Sequence, residues 1–320
     1  MATAPTDDAL AAAALEALRA SQPGEVVERV ETITRGWDSL ALLVNGHWLL
    51  RAARRPEVGA SLAREARLLP VIAAAVAPVR VPRFTITQLN ASPAVVGYEV
   101  LRGQPLAPRD LTWTEARAEA IARQVADFLT ALHSIPVDRA VAAGLPVVSA
   151  EEWRAEYAAF RDWSRARAAP LLTPEARRAL ERLWAGYLDE PGNFRFQPVL
   201  IHRDLGIGHV LLGPDGRLAG VIDWGDAAVG DPAIDFAGFL GGLGERFTRQ
   251  VIARWSGPRA AGETDGTLLA RAAFYASIAP LHAIQYGQLI GSDAFVRQGA
   301  ADLLRALPAP GRRWTAYGGS

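Results

Sequence analysis

Apolar and polar positions follow two periods along this chain, and the switches between them predict its elements. Residues 7–20 (DDALAAAALEALRA) carry apolar side chains at helical spacing, with Asp7 and Asp8 at the end of the helix that favours anions. Residues 25–34 (EVVERVETIT) alternate like a strand, and 35–39 (RGWDS) reads as a turn. Leu40–Val44 and His47–Ala52 are two further strands around Asn45-Gly46, a strong hairpin signal. The period then returns to helical over 57–76, where Leu62, Leu68, Leu69 and Ile72 share a face. Val81–Thr87 and Val95–Leu101 read as strands, and Arg102–Pro105 as a hinge.

A capping box, Thr112 to Glu115, opens a long helix over 113–133 whose apolar positions include Ile121, Val125, Phe128, Leu129 and Leu132. Two helices follow over 150–168 and 174–188, the second opened by Thr173-Pro174. Further helices are expected near 235–256, 266–290 and 293–306, before a Pro/Gly-rich tail over 308–320.

Between these helical regions lies Val199 to Phe236, which breaks the pattern. VLIH, HVLL and LAGVID are short apolar runs, the last two joined by a Gly-Pro-Asp-Gly turn at 213–216. A hairpin here holds two loops side by side, one carrying Asp204 and His209 and the other Asp223. Phosphoryl transfer needs that pairing: a carboxylate beside the attacking hydroxyl, and ligands for the magnesium on the nucleotide.

Composition narrows the class. The chain has 320 residues, 50% hydrophobic and 8% aromatic, which suits two lobes with sizeable cores. Its formal net charge is zero, so nothing points to nucleic acid or to an anionic membrane surface. There is no cysteine, which excludes disulfides and thiolate metal sites. The N-terminus does not read as a signal peptide, and no run approaches the ~18 apolar residues of a membrane span. The expected location is the cytoplasm. All 34 basic residues are arginine.

HRDLGIGH followed by IDWGDAAVGDPAIDF resembles the aminoglycoside phosphotransferase family, which has the protein-kinase-like fold. His-x-Asp with a metal-site residue five positions on, Ile-Asp-Trp at 222–224 and Gly-Asp-Pro-x-x-Asp at 230–235 match together. The resemblance implies an α+β, two-lobed fold. Residues 1–102 form a small antiparallel-sheet N-lobe with one main helix, which binds nucleotide. Residues 103–320 form a larger, mainly helical C-lobe that carries catalysis and substrate. It also implies Mg2+ with ATP or GTP as phosphate donor, a small-molecule acceptor, and a monomer or dimer that needs no nucleic acid or membrane.

Carried over residue by residue, the resemblance makes Asp204 the catalytic base and His202 an anchor of its loop. Asp223 is a metal ligand. His209 joins it where most of the family has asparagine, as in branches similar to macrolide and 2″-aminoglycoside phosphotransferases. Arg51 stands where the family has a phosphate-binding lysine, with Glu65 as its partner. Glu99 to Leu101 supply the backbone groups that pair with the base. The loop at 35–39, with the single glycine Gly36, lies over the phosphates. Each of these has a plainer reading: Arg51 as a solvated strand-end cation, Glu65 paired with Arg64 or Arg67 on its own helix, and Gly36 in an ordinary turn. No Walker-type motif exists in the chain.

For the acceptor, Asp226 and the acidic start of the helix at 150 (Glu151, Glu152, Glu156) offer carboxylates to a cation, or else form a solvated face. Tyr275, His282, Gln285, Tyr286 and Gln288 line a helical segment as a substrate wall or as core. His133 reads as a helix-end hydrogen-bonding residue. Asp231 and Asp235 read as caps that tie down loops. An aminoglycoside or macrolide is the leading acceptor. A metabolite alcohol and a non-catalytic nucleotide-binding pseudokinase are the rivals.

Overall fold

The computed structural model describes residues 5–33, 39–107 and 114–307. Gly36, Thr112, Trp113 and the tail from 308 lie outside the described residues. In chain order the elements are α1 (Asp7–Ser21), β1 (Val30–Ile33), β2 (Ser39–Val44), β3 (Trp48–Ala53), α2 (Pro56–Val76), β4 (Ile86–Gln88), β5 (Val95–Glu99) and β6 (Gln104–Pro105). Next come α3 (Glu115–His133), α4 (Val137–Ala142), α5 (Ala150–Arg167), α6 (Pro174–Leu188), β7 (Val199–Ile201), β8 (Val210–Leu212) and β9 (Leu218–Val221). The chain continues with β10 (Ala228–Gly230), α7 (Ile234–Ile252), α8 (Asp265–Leu289) and α9 (Asp293–Ala306). The chain folds as two compact units that are each discontinuous in sequence. One contains Met1–Pro105, Asp138–Leu145 and Val210–Ala227; the other contains Leu106–Val137, Pro146–His209 and Ala228–Ser320.

The first unit is built on an antiparallel sheet of order β1-β2-β3-β5-β4. The period-2 alternation of its strands feeds two cores. Leu40, Leu42, Val44, Leu50 and Val95 meet Leu10, Ala14, Ala17 and Leu18 of α1 on one face. Val96, the neighbour of Val95, packs on the other with Val58 and Leu62 of α2. The Asn45-Gly46 turn has φ of 55° and 66°, as a hairpin turn with left-handed central residues requires. A second small sheet, β6-β8-β9, carries the hairpin whose register is Val210↔Val221.

Two strand expectations shrink. Of the described part of the 25–34 run, 25–33, only 30–33 is strand, because the Asn45 side chain takes over the pairing of the earlier part. Its Oδ1 accepts from the backbone N–H of Glu28 and Arg29, and its Nδ2 donates to Glu25 Oε1 and Val26 O. Of Val81–Thr87, only Ile86 and Thr87 enter β4. Pro82 has no N–H to give a ladder, and Arg80, two residues before it, pairs with Ala219 and Val221 of the β8–β9 hairpin.

In the second unit, α5 and α6 match their expected spans closely. Ser149 and Glu152 form a capping box at α5, and Thr173 caps α6. Helix α3 starts at Glu115, with Thr114 at the cap position, two residues later than expected. Strand β7 pairs with β10, an element the sequence reading missed. Helix α8 is long and apolar enough, by length and composition, to cross a membrane. Within this unit its middle is core: Leu268, Ala272, Phe274, Tyr275, Ile278 and Leu281 are buried, and Tyr187 stacks on Phe274 at 3.7 Å.

Candidate active site

In the second unit, β7 ends at Ile201 and the chain turns sharply through His202, Arg203 and Asp204. Arg203 has φ of 70°, a left-handed conformation that a bulky residue holds only when its surroundings impose it. The imposing group is Asp235, wholly buried at the start of α7. Its Oδ2 accepts from the His202 N–H at 2.8 Å, and its Oδ1 accepts from the Arg203 N–H at 2.8 Å. The last residue of α3, His133, donates from Nε2 to the same Oδ2 at 3.1 Å. One side chain thus holds two backbone groups of the loop and one helix end.

The far side of the loop is held by close approach. A Cβ at Gly238 of α7 would lie 2.1 Å from Leu205 O, so only glycine lets the helix run this near the backbone after Asp204. Leu205 is buried, whereas the Asp204 carboxylate is 61% exposed. His209 closes the turn by donating from Nδ1 to Asp204 O at 2.7 Å. That bond commits Nδ1 to the loop backbone.

Three other polar groups of this unit are committed. The Glu152 carboxylate accepts from the Ser149 N–H and Oγ–H at 2.8 and 2.7 Å, and these bonds hold it below its ordinary range. Glu156 accepts from the Arg203 guanidinium, which also lies 5.6 Å over the ring of Trp153. Asp231 accepts from Arg271 at 2.7 and 3.0 Å, from Tyr275 at 2.8 Å and from the backbone of Ala233. Tyr286 meets Phe295 of α9 edge-on at 5.5 Å.

In the first unit, Arg51 of β3 reaches α2. Its Nη1 donates to both oxygens of Glu65, at 3.0 and 2.9 Å, while Arg67 donates to Ala143 O. Burial works against the Arg51 charge, but Glu65, then Tyr98 and Asp223, outweigh it and hold the guanidinium above its ordinary value. Burial, with a contribution from Asp223, also raises the Glu65 carboxyl, a shift that opposes ionisation. The doubly bonded geometry decides between the two in favour of the charged pair.

Asp223 follows β9 with φ of 67°, exposed, on a loop fixed by its neighbours. The Trp224 indole is buried and donates to Val221 O at 3.1 Å, and Ser61 donates to Gly225 O at 3.4 Å. Asp226 is exposed on the same loop. Glu99, at the end of β5, is 66% exposed beside His47. Leu101 lies just beyond, and its backbone makes no hydrogen bond among the described residues. The first unit therefore holds Arg51, Glu65, Glu99, Leu101, Asp223 and Asp226, and the second holds Asp204, His209, Glu152, Glu156 and Tyr286. The sequence reading missed Gly238 and the Arg203–Glu156 pair.

A divalent cation is the group these residue types imply. In the first unit Asp223 offers an exposed hard oxygen, which suits magnesium. In the second unit the imidazole of His209 is a nitrogen donor, which fits magnesium less well than a carboxylate does.

The model of the Phosphotransferase enzyme family matches residues 29–275. Viomycin phosphotransferase of Streptomyces vinaceus is 35% identical over 154 residues, 47% of this chain and 51% of that protein. The chain thus spans about half the length of that curated relative. Among solved structures, the GDP and kanamycin complex of APH(2")-IIia has a TM-score of 0.80 at 26% identity, covering 91% of this chain and 97% of that one. Macrolide 2'-phosphotransferase type I has a TM-score of 0.72 at 25% identity, covering 94% and 99%.

Proposed function

The chain belongs to the phosphotransferase enzyme family and has its kinase-like α+β fold, and from that premise we propose that it phosphorylates a hydroxyl of a small-molecule antibiotic. The donor is a nucleoside triphosphate, ATP or GTP. The observation that carries this reading is the buried Arg51–Glu65 pair in the field of Asp223. Burying a guanidinium is costly, and placing it beside a carboxylate-bearing loop is useful where polyphosphate oxygens must be neutralised.

The residues then divide the work. Arg51 contacts the nucleotide phosphates and Glu65 aims it. The backbone of Glu99 to Leu101 pairs with the base, and the loop with Gly36 covers the phosphates. Asp223 and His209 hold Mg2+. When bound, the ion neutralises charge on the phosphate oxygens.

Asp204 is the base. It accepts the hydrogen bond of the acceptor hydroxyl and takes its proton as the new oxygen–phosphorus bond forms. The bond from the γ-phosphorus to the β-bridging oxygen breaks, and the nucleoside diphosphate leaves. The clamped loop serves this step, since phosphoryl transfer is governed by positioning. Asp226, Glu152, Glu156 and Tyr286 are the acceptor-side candidates. The enzyme works in the cytoplasm, where nucleoside triphosphates are, as a monomer or dimer.

The antibiotic class is supported by the relatives, whose names carry viomycin, kanamycin and macrolides. The test is magnesium-dependent product formation with ATP and with GTP, followed by mass spectrometry over viomycin, kanamycin, erythromycin and common metabolite alcohols. A gain of one phosphate on an antibiotic, lost in Asp204→Asn, is expected. Phosphate gained only on a metabolite alcohol would replace the antibiotic reading. Nucleotide binding with no product on any compound would leave a pseudokinase.

A further inference from the structure

Helix α5 presents Glu156, Phe160 and Trp163 at i, i+4 and i+7, one continuous stripe. Its polar end meets Arg203, the residue directly before Asp204. The Arg203 backbone is pinned by Asp235, and its guanidinium is seated on Trp153 and bonded to Glu156. That seat is rigid: Trp153 is 1% exposed, its indole donates to Tyr275 at 3.0 Å, and Tyr275 donates to the buried Asp231. With Glu152 spent on the helix cap, two of the three carboxylates that the start of α5 offers a cation, Glu152 and Glu156, are engaged, and Glu151 stays exposed at the helix start.

The other end of the stripe is made of rings. Phe160 stacks on His282 of α8 at 4.5 Å and 17°, and on Trp163 at 5.4 Å and 13°, with Trp184 edge-on beside it. His282 is held below its ordinary pKa, first by desolvation and then by the nearby Arg203 guanidinium, so this face is uncharged at neutral pH.

We propose that Arg203 is a specificity-determining residue: by occupying Glu156 it removes a carboxylate from the ring-lined stripe of α5 on the acceptor side of the second unit and leaves a guanidinium in its place. The acceptor it selects carries few cationic groups and an apolar or sugar-ring face that lies along Phe160 and His282. Polycationic acceptors are disfavoured, because they meet a fixed guanidinium instead of a carboxylate. The inference rests on the phosphotransferase reading and names the substrate class of that site.

The discriminating variant is Arg203→Gly, which suits the φ of 70° and removes the cation without straining the loop. Kanamycin serves as the polycationic probe and erythromycin, with its single amine, as the low-charge one. Binding of each is measured by calorimetry, and phosphorylation by product mass, for the wild type, Arg203→Gly, Arg203→Gly/Glu156→Gln and Phe160→Ala. The wild type is expected to prefer erythromycin in both readouts. Arg203→Gly should shift the binding preference toward kanamycin at least tenfold, and adding Glu156→Gln should reverse that shift. Phe160→Ala should raise KM for erythromycin with kcat retained. An unchanged preference in Arg203→Gly, a shift that survives Glu156→Gln, or binding of neither probe overturns the proposal. Binding that shifts as expected while no variant forms product would sustain it and overturn the phosphotransferase reading instead.

Discussion

Replacing Asp235 with asparagine isolates the clamp that presents Asp204. The carboxylate is fully buried and accepts three hydrogen bonds, from the His202 and Arg203 backbones at 2.8 Å each and from His133 at 3.1 Å. An asparagine keeps one carbonyl oxygen and turns an NH2 toward groups that are themselves donors. At least one buried donor is then left without an acceptor, and the charge that strengthens the others is gone. A bond to a charged group contributes about 1.5–3 kcal/mol, and an unsatisfied buried donor costs about 1–3 kcal/mol more. The sum, roughly 2.5–6 kcal/mol, is a large share of a stability of about 5–15 kcal/mol. For a unit of this size it corresponds to a fall of roughly 5–24 °C in Tm. Calorimetry reads that shift, and initial rates read the companion effect: a released Arg203 backbone lets Asp204, the proposed base, wander, so kcat should fall by roughly tenfold or more, in line with the cost of misplacing a catalytic group. His133→Gln should couple to Asp235→Asn in a double-mutant cycle. A Tm within about 2 °C of wild type, judged against the same scale, with kcat unchanged, would refute the view that one buried carboxylate holds this loop.

Asp204→Asn should show the opposite pattern, since its side chain is exposed: Tm near wild type and turnover down by about 10²–10⁴, read by calorimetry and product formation. Glu65→Gln strips the buried Arg51 of its ionised partner. KM for the nucleotide should rise while KM for the acceptor holds, with a stability loss of about 3–5 kcal/mol in urea titration; unaltered nucleotide affinity would count against Arg51 as the phosphate cation. Gly238→Ala forces a methyl to 2.1 Å from Leu205 O, so the helix or the loop must move. A loss of about 1–3 kcal/mol or more and a depressed kcat are expected, and a fully active, equally stable variant would show that the close approach is not required.

The local rules of the chain made most of the elements legible, and they failed where a side chain replaced a backbone partner. The capping signals at Ser149 and Thr173 set the starts of α5 and α6, because a cap acts within its own few residues. The strand expected over 25–34 failed because its donors bond a side chain far along the chain, Asn45, and periodicity carries no trace of that. The site divides along the same line. The motif residues Asp204, His209 and Asp223 stand out by type and spacing. What holds them does not: Asp235 lies 33 residues beyond the His202 N–H it accepts from, and its spacing from Asp231 reads only as a helix start. Arg203 is the sharper case. In sequence it is a cation inside a loop motif, and Glu156 is one of several acids on a helix. Their pairing cancels the charge that each suggests separately, so a count of carboxylates near the site overstates its appetite for cations. On the proposed reading, the charge of the acceptor follows from which acids remain unpaired after folding, and the Arg203–Glu156 contact, which composition does not show, is one that decides it.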